Sequence, residues 1–320
     1  MDNEIKVSVV IVNWNTRELL KQCLKSVYAE TSVPAEIFVV DNASGDGSAE
    51  MVRANFPRVC LIANSDNKGF AAANNQAINR TQGQYVLLLN PDTKVLGAAI
   101  DKLAAYLDDE ETVGACTGKL LNGDGSLQKN VGNFYSFWST LFENRILPAI
   151  LPNSKFLAKR LVAFWDHATS RDIDWARGAV LLVRKKVLDR IGFLDERFYI
   201  YGEEIDLCWR IKQYGWRIIY LPEAEIIHYG KASSSQRRKE MFIQNYKSFY
   251  LFLKKHYPGY SYFFYRLRVM LYFIPWFLKI LFTLFFFPAN SQKKQDAKGL
   301  LDIYLASLRW HLSKDSLIKI

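Results

Sequence analysis

Cysteine is scarce and scattered. Cys23, Cys60, Cys116 and Cys208 form no CxxC pair, so neither a disulfide framework nor a zinc site is indicated, and a reducing compartment fits. The first apolar run is not followed by GxGxxG, and no GxxxxGK[ST] occurs, which argues against a dinucleotide-binding fingerprint and a P-loop. No Ser/His/Asp or Cys/His arrangement suggests covalent catalysis. The acidic start Met1-Asp2-Asn3-Glu4 runs straight into a strand, so no signal peptide is expected. Acidic residues themselves are sparse in one region. Residues 229–320 hold 16 Lys/Arg against 4 Asp/Glu, whereas residues 1–228 hold 26 against 28. All of the +10 net charge therefore belongs to the last third.

An apolar fraction of 50% is ample for a sizeable core. Val7–Val12, Glu36–Val40, Val59–Ala63 and Tyr85–Leu89 read as strands. Three helical stretches separate them: from Thr16 to about Tyr28, from the Gly47-Ser48 region to about Phe56, and Ala71–Asn79. Such alternation implies an α/β fold with a parallel, helix-covered sheet. Each strand ends in polar residues: Asn13 and Asn15, Asp41 and Asn42, Asn64 and Asn67, Asn90 and Asp92. Turn preference explains part of that repetition, but ligands in open α/β sheets bind at this strand edge. Pro91 stops the Tyr85–Leu89 strand and leaves Asp92 beyond it, placed to hold a divalent metal against a nucleotide diphosphate.

Val113–Leu121 and Val180–Val183 add strands, and Asn122-Gly123-Asp124-Gly125 reads as a turn. From Gln128 to about Asp172 the pattern is irregular, aromatic and basic, and is read as a lid or an acceptor-facing insertion. Glu203, Glu204 and Asp206 open a helix to about Tyr214, where the helix dipole favours acids. Trp216–Leu221 and Glu225–Ile227 read as two short strands, the second ending on His228.

These stretches together resemble glycosyltransferase family 2, the inverting transferases of GT-A fold, and within it bacterial rhamnosyltransferases of surface-polysaccharide synthesis. The resemblance covers residues 1–235. It rests on Val9-Val10-Ile11-Val12-Asn13-Trp14-Asn15, Val39 to Ser48, Asn64 with Asn67 to Asn75, Leu89-Asn90-Pro91-Asp92-Thr93, Gly178-Ala179 and Glu203 to Arg210. It implies that Val12, Asn13, Asn15 and Asp41 contact the nucleotide and that Asn67, Gly69 and Asn75 line the nucleoside and sugar pocket. Gly178 belongs to the same donor site. Asn90-Pro91-Asp92 stands in the place of a DxD motif whose last Asp binds Mg²⁺ or Mn²⁺, and His228 matches a position that often joins it. Glu204 falls where the family usually has the Asp general base, with Glu203 and Asp206 in reserve. Two departures matter: Asn90 replaces the first acid of DxD, and Glu204 is one methylene longer than Asp.

The implied reaction is transfer of a sugar, with dTDP-rhamnose the guess, from a nucleotide-sugar donor to a lipid-linked or polysaccharide acceptor. A non-catalytic sugar-nucleotide-binding scaffold is the alternative. A nucleotidyltransferase would present a Gly-rich basic loop after the first strand, which Asn13-Trp14-Asn15 does not supply.

Residues 236–320 form a basic, aromatic-rich helical region expected to associate with membrane. Met270–Phe287 carries one charge, Lys279, at a cost of about 2.5–3.5 kcal/mol in a bilayer interior. A span would also oppose the positive-inside rule. The expectation is an interfacial helix or hairpin on the cytoplasmic face of the inner membrane. Residues 260–312 would meet anionic lipid, with Arg266, Arg268 and Lys279 at the headgroups and Leu300–Leu312 as a second amphipathic piece. Homo-oligomerisation is a further possibility. No nucleic-acid partner is expected, since the apolar bulk would be stranded in water.

Overall fold

The computed structural model describes residues 4–135, 162, 165–230, 234–288 and 291–313. It separates into two compact units: Met1–Arg197 with Glu203–Ser233, and Phe198–Gly202 with Ser234–Ile320. The second unit therefore takes in residues 198–202, which the sequence alone assigns to the first. Within it, Ser248 Oγ donates to Ile200 O at 2.8 Å.

The first unit begins β1 (Val7–Asn13), α1 (Arg17–Glu30), β2 (Ala35–Asp41), α2 (Ser48–Asn55), β3 (Cys60–Ala63), α3 (Phe70–Ile78) and β4 (Tyr85–Leu89). These four strands lie parallel in the order β3-β2-β1-β4. Consecutive residues of β1 enter opposite layers: Val7, Val9 and Ile11 pack with α1 and α2, and Val10 and Val12 with α3. A strand covered on both faces needs apolar bulk at every position, which is why β1 reads as an unbroken run.

The rest of the unit completes a mixed sheet. It comprises β5 (Thr93–Val95), α4 (Ala99–Asp109), β6 (Val113–Leu121), β7 (Leu127–Gln128), β8 (Val131–Gly132), β9 (Arg171–Asp172) and β10 (Trp175–Ala176). β11 (Val180–Arg184), α5 (Lys185–Ile191), α6 (Glu203–Gln213) and β12 (Arg217–His228) follow. From β4 the sheet runs on through β11, β6 and β12 to β5, with β7 on β6 and β9 on β12. β11 is antiparallel to both neighbours.

Two sequence expectations change here. The two short strands at 216–227 are one strand with register shifts, the larger between Leu221 and Glu225, where Pro222 lies. A β-bulge accommodates a proline that a regular ladder would reject. Opposite it, a Cβ on Gly118 would lie 2.3 Å from Ala224 O, so only glycine fits. The lid expected from Gln128 to Asp172 lies largely outside the described residues. Its described ends form β7 to β9.

The second unit holds α7 (Arg238–His256), α8 (Gly259–Phe286) and α9 (Gln292–Leu312). α8 runs unbroken through Pro275. Its Val269, Phe273 and Ile280 are buried, whereas Phe264, Leu267, Leu271, Ile274, Leu278 and Phe285 are exposed. Arg266, expected at lipid headgroups, donates to Tyr262 Oη and to the carbonyl of His311.

Candidate active site

The ends of β1, β2, β4, β6 and β12 and the start of β11 share one edge, as the strand register dictates: Asn13 faces Asp41, and Val180 faces Leu89. Asn90 N donates to Ala179 O at 3.0 Å, which brings the turn after β4 to the residues that precede β11. Candidate residues far apart in sequence collect along this edge.

At the β1–β2 end, Asn13 Nδ2 donates to Asp41 Oδ1 at 2.9 Å and to Ser44 Oγ at 3.1 Å. Asp41 Oδ2 accepts from Ser44 N at 3.0 Å, and Asn15 Oδ1 from Gly45 N at 2.8 Å. Thr16, at the N-cap of α1, makes no side-chain cap bond. Its hydroxyl donates to Asn13 Oδ1 at 2.6 Å instead, which fixes the asparagine's orientation. Asn15 and Ala43 adopt left-handed backbone, with φ of 51° and 63°. Such non-glycine positions are uncommon, and here the hydrogen-bonded loops hold them. Val12 lies in the α3-side core layer and is nearly buried.

Next along the edge, Asn42 Nδ2 donates to Asn67 Oδ1 at 2.9 Å and to Gly69 O at 3.2 Å. Gly69 has φ of +85°, in the region that glycine alone enters freely, immediately before α3. Asn75, expected to line the pocket, sits deeper. Its Nδ2 donates to Leu194 O at 2.8 Å and Glu196 Oε1 at 2.9 Å, and its Oδ1 accepts from Leu194 N at 3.1 Å. Its side chain therefore anchors the 194–196 segment.

Asn90, Asp92 and His228 meet because β5 pairs with the end of β12, with Thr93 opposite His228. His228 Nε2 lies 3.3 Å from Asp92 Oδ1 and 3.4 Å from Asn90 Nδ2. Asp92 and His228 are both buried. Adjacent ligands of an octahedral Mg²⁺ or Mn²⁺, each roughly 2.1 Å from the ion, are separated by about 3 Å. The Asp92 oxygen and His228 nitrogen have that spacing. Among the described residues no cluster of three or more His, Cys, Asp or Glu could hold a metal. The spacing of the pair suits two ligands of a divalent ion, and the remaining ligands would have to be water and substrate phosphate, the usual Mg²⁺ pattern.

The three acids of α6 have separate surroundings. Asp206 is fully buried and accepts from Arg210 Nε at 2.9 Å. Arg210 also donates to the carbonyls of Ile191, Gly192 and Phe193, so the pair clamps the end of α5. Glu203 is buried, and its Oε2 has no hydrogen-bond partner. Burial first and the Glu204 charge second raise its pKa well above the ordinary glutamate range. Glu204 is half-buried. A Cβ on Gly178 would lie 3.5 Å from Glu204 Cβ and 3.7 Å from the Phe70 ring, so Gly178 brings Glu204 to the same edge.

Gln128, Ser44 and Phe70 carry no individual role in the sequence reading. Gln128 was within reach of it: the Asn122–Gly125 turn implies a hairpin, which returns residues 127–128 along β6.

The model of the family described as "Glycosyl transferase family 2" matches residues 8–172. N-acetylglucosaminyl-diphospho-decaprenol L-rhamnosyltransferase of Mycobacterium tuberculosis is 26% identical over 279 residues, covering 78% of this chain and 85% of its own. The low-salt glycan biosynthesis hexosyltransferase Agl10 of Haloferax volcanii is 27% identical over 248 residues, covering 76% and 73%. Mannosyltransferase PcManGT from Pyrobaculum calidifontis, solved with GDP-Man and Mn²⁺, is similar at a TM-score of 0.56 and 16% identity, over 96% of this chain and 87% of that one. GalNAc-T7, solved with UDP, GalNAc and Mn²⁺, gives 0.54 and 18%, over 71% and 43%. At these identities the two structures speak to the fold, which is GT-A.

Proposed function

This chain belongs to glycosyl transferase family 2, and from that premise we propose that it moves a sugar, with inversion, from a nucleotide-diphosphate donor to a hydroxyl of a lipid-linked or polysaccharide acceptor. The observation that carries the reading is the meeting of Asp92 with His228 at the strand edge that also holds Asp41, Gly178 and Glu204. A dTDP-rhamnose donor is favoured by the mycobacterial relative, whose name specifies rhamnosyl transfer to a polyprenyl-diphosphate-linked sugar.

Asn13 and Asp41, fixed by Ser44 and Thr16, bind the nucleoside, and the loop of Asn67 and Gly69 lines the donor pocket. Asp92 and His228 hold Mg²⁺ or Mn²⁺, with Asn90 as a neutral neighbour. The bound ion would neutralise charge developing on the departing diphosphate. Glu204 accepts the proton of the acceptor hydroxyl as that oxygen attacks the anomeric carbon, a contribution of typically 10²–10⁴-fold. Its neighbours suit the role less: Asp206 is engaged by Arg210, and Glu203 is shut away from an acceptor. Direct displacement inverts the anomeric centre and needs no covalent nucleophile.

The unit of residues 1–197 and 203–233 serves as the catalytic domain, and the unit of 198–202 and 234–320 as a membrane-associating region. The exposed apolar face of α8 lies against the cytoplasmic leaflet of the inner membrane, with Arg268 and Lys279 among anionic headgroups. α8 is long and apolar enough to cross a bilayer, and only 18% of its most apolar stretch is buried, so the surface mode rests on Lys279 and on the basic residues that follow the helix. The test of function is nucleotide release against a panel of sugar nucleotides, with and without a polyprenyl-diphosphate-linked acceptor. Acceptor-dependent release from one donor is expected, and none from any donor would refute transferase activity.

A further inference from the structure

Gln128 lies outside the family motifs, yet its amide is fully engaged next to the proposed metal pair. Its Nε2 donates to Asn122 Oδ1 at 2.8 Å and to His228 O at 3.0 Å. Two acceptors on that side fix the amide orientation, because a flip would press Oε1 against both oxygens. Oε1 therefore faces His228 Nδ1, at 2.6 Å. An oxygen acceptor at that distance requires the ring proton on Nδ1, which leaves the lone pair of a neutral ring on Nε2. Nε2 is the atom that faces Asp92 Oδ1 at 3.3 Å. Asn90 Nδ2, at 3.4 Å, can donate to it. Pairing of Leu120 with Gln128 holds the residue in place.

We propose that Gln128 is a positioning residue that sets the tautomer of His228, so that Nε2 is presented to a divalent cation beside Asp92. This inference rests on the proposed metal role of Asp92 and His228. A neutral amide performs the service that a carboxylate often performs for metal-bound histidines, and it adds no charge to a site with one carboxylate.

The test is ¹⁵N NMR of His228 in the metal-free full chain, together with direct Mn²⁺ titration followed by the EPR signal of the free ion. In its neutral ring, wild type should show a protonated Nδ1 and a bare Nε2, and a neutral ring protonated on Nε2 instead would overturn the inference without any variant. Gln128→Leu should mix the tautomers and weaken Mn²⁺ binding by roughly 10–100-fold, the usual range for such partners. Unchanged tautomer and Mn²⁺ affinity in Gln128→Leu would reject Gln128 alone, provided that His228→Ala abolishes Mn²⁺ binding. If His228→Ala binds Mn²⁺ normally, the ligand assignment falls and this inference falls with it.

Discussion

At the scale of single residues, the site is defined by how few charges it has. Asp92 is its one carboxylate at the proposed metal position, where Asn90 contributes an amide at the other end of the motif. Metal affinity without nucleotide should accordingly be low, and the diphosphate should supply the missing negative oxygens. Asn90→Asp adds a carboxylate two residues from Asp92. It should tighten Mn²⁺ binding in the absence of nucleotide, measured by titration, and unchanged affinity would remove Asn90 from the site. Glu203 is the opposite case, a carboxyl with too little around it. Its pKa is raised in the folded chain, so the unfolded chain releases this proton at lower pH. The group's contribution to stability is complete below the ordinary glutamate pKa of about 4.3 and declines as pH rises toward the folded value. Glu203→Gln removes that decline. Its stability advantage over wild type should grow from about pH 4.3 upward in denaturant titrations, with transfer activity retained.

At the scale of elements, legibility followed pattern length. Strands β1, β2 and β4 could be read because residues buried on both faces leave unbroken apolar runs. Asp92 could be placed because Pro91 must end its strand. Strand β5 could not: Thr93–Val95 is too short for a periodic signal and exists because the end of β12 pairs with it. Helix α4 was unread for a related reason. Its N-cap is Ala98, at φ of +57° with no side-chain cap bond, so the usual Ser, Thr, Asp or Asn marker is missing. The meeting of His228 with Asp92, and the grip of Gln128 on His228, both depend on pairings of this unmarked kind. Among the acids of α6, sequence could not separate roles that burial separates at once. Arg210→Ala should leave Asp206 buried without its Arg210 ion pair. A loss of about 3–5 kcal/mol is expected for breaking such a pair, read by chemical denaturation, and a loss below about 1 kcal/mol would mean that the pair is not a clamp.

At the scale of the whole molecule, charge and chemistry divide along the chain. Residues 1–228 are nearly neutral and carry the proposed donor site, while residues 229–320 carry the basic excess and the exposed stripe of α8. A lipid-linked acceptor would explain both, since its sugar must reach the strand edge while its tail stays in the bilayer. Introducing Leu271→Glu with Leu278→Glu should release the chain from anionic vesicles, because both side chains are exposed on that stripe. Undiminished co-sedimentation would exclude the face as the lipid contact. Carbonate extraction distinguishes the modes, with release at high pH expected of a helix lying on the surface and retention of one that spans. The most direct measurement for the chemistry is Glu204→Gln, assayed in parallel for donor binding and for acceptor-dependent nucleotide release. With Glu204 as the base, donor affinity stays within about twofold of wild type while turnover falls by about 10²–10⁴-fold. Turnover near the wild-type rate would contradict that role and the mechanism built on it.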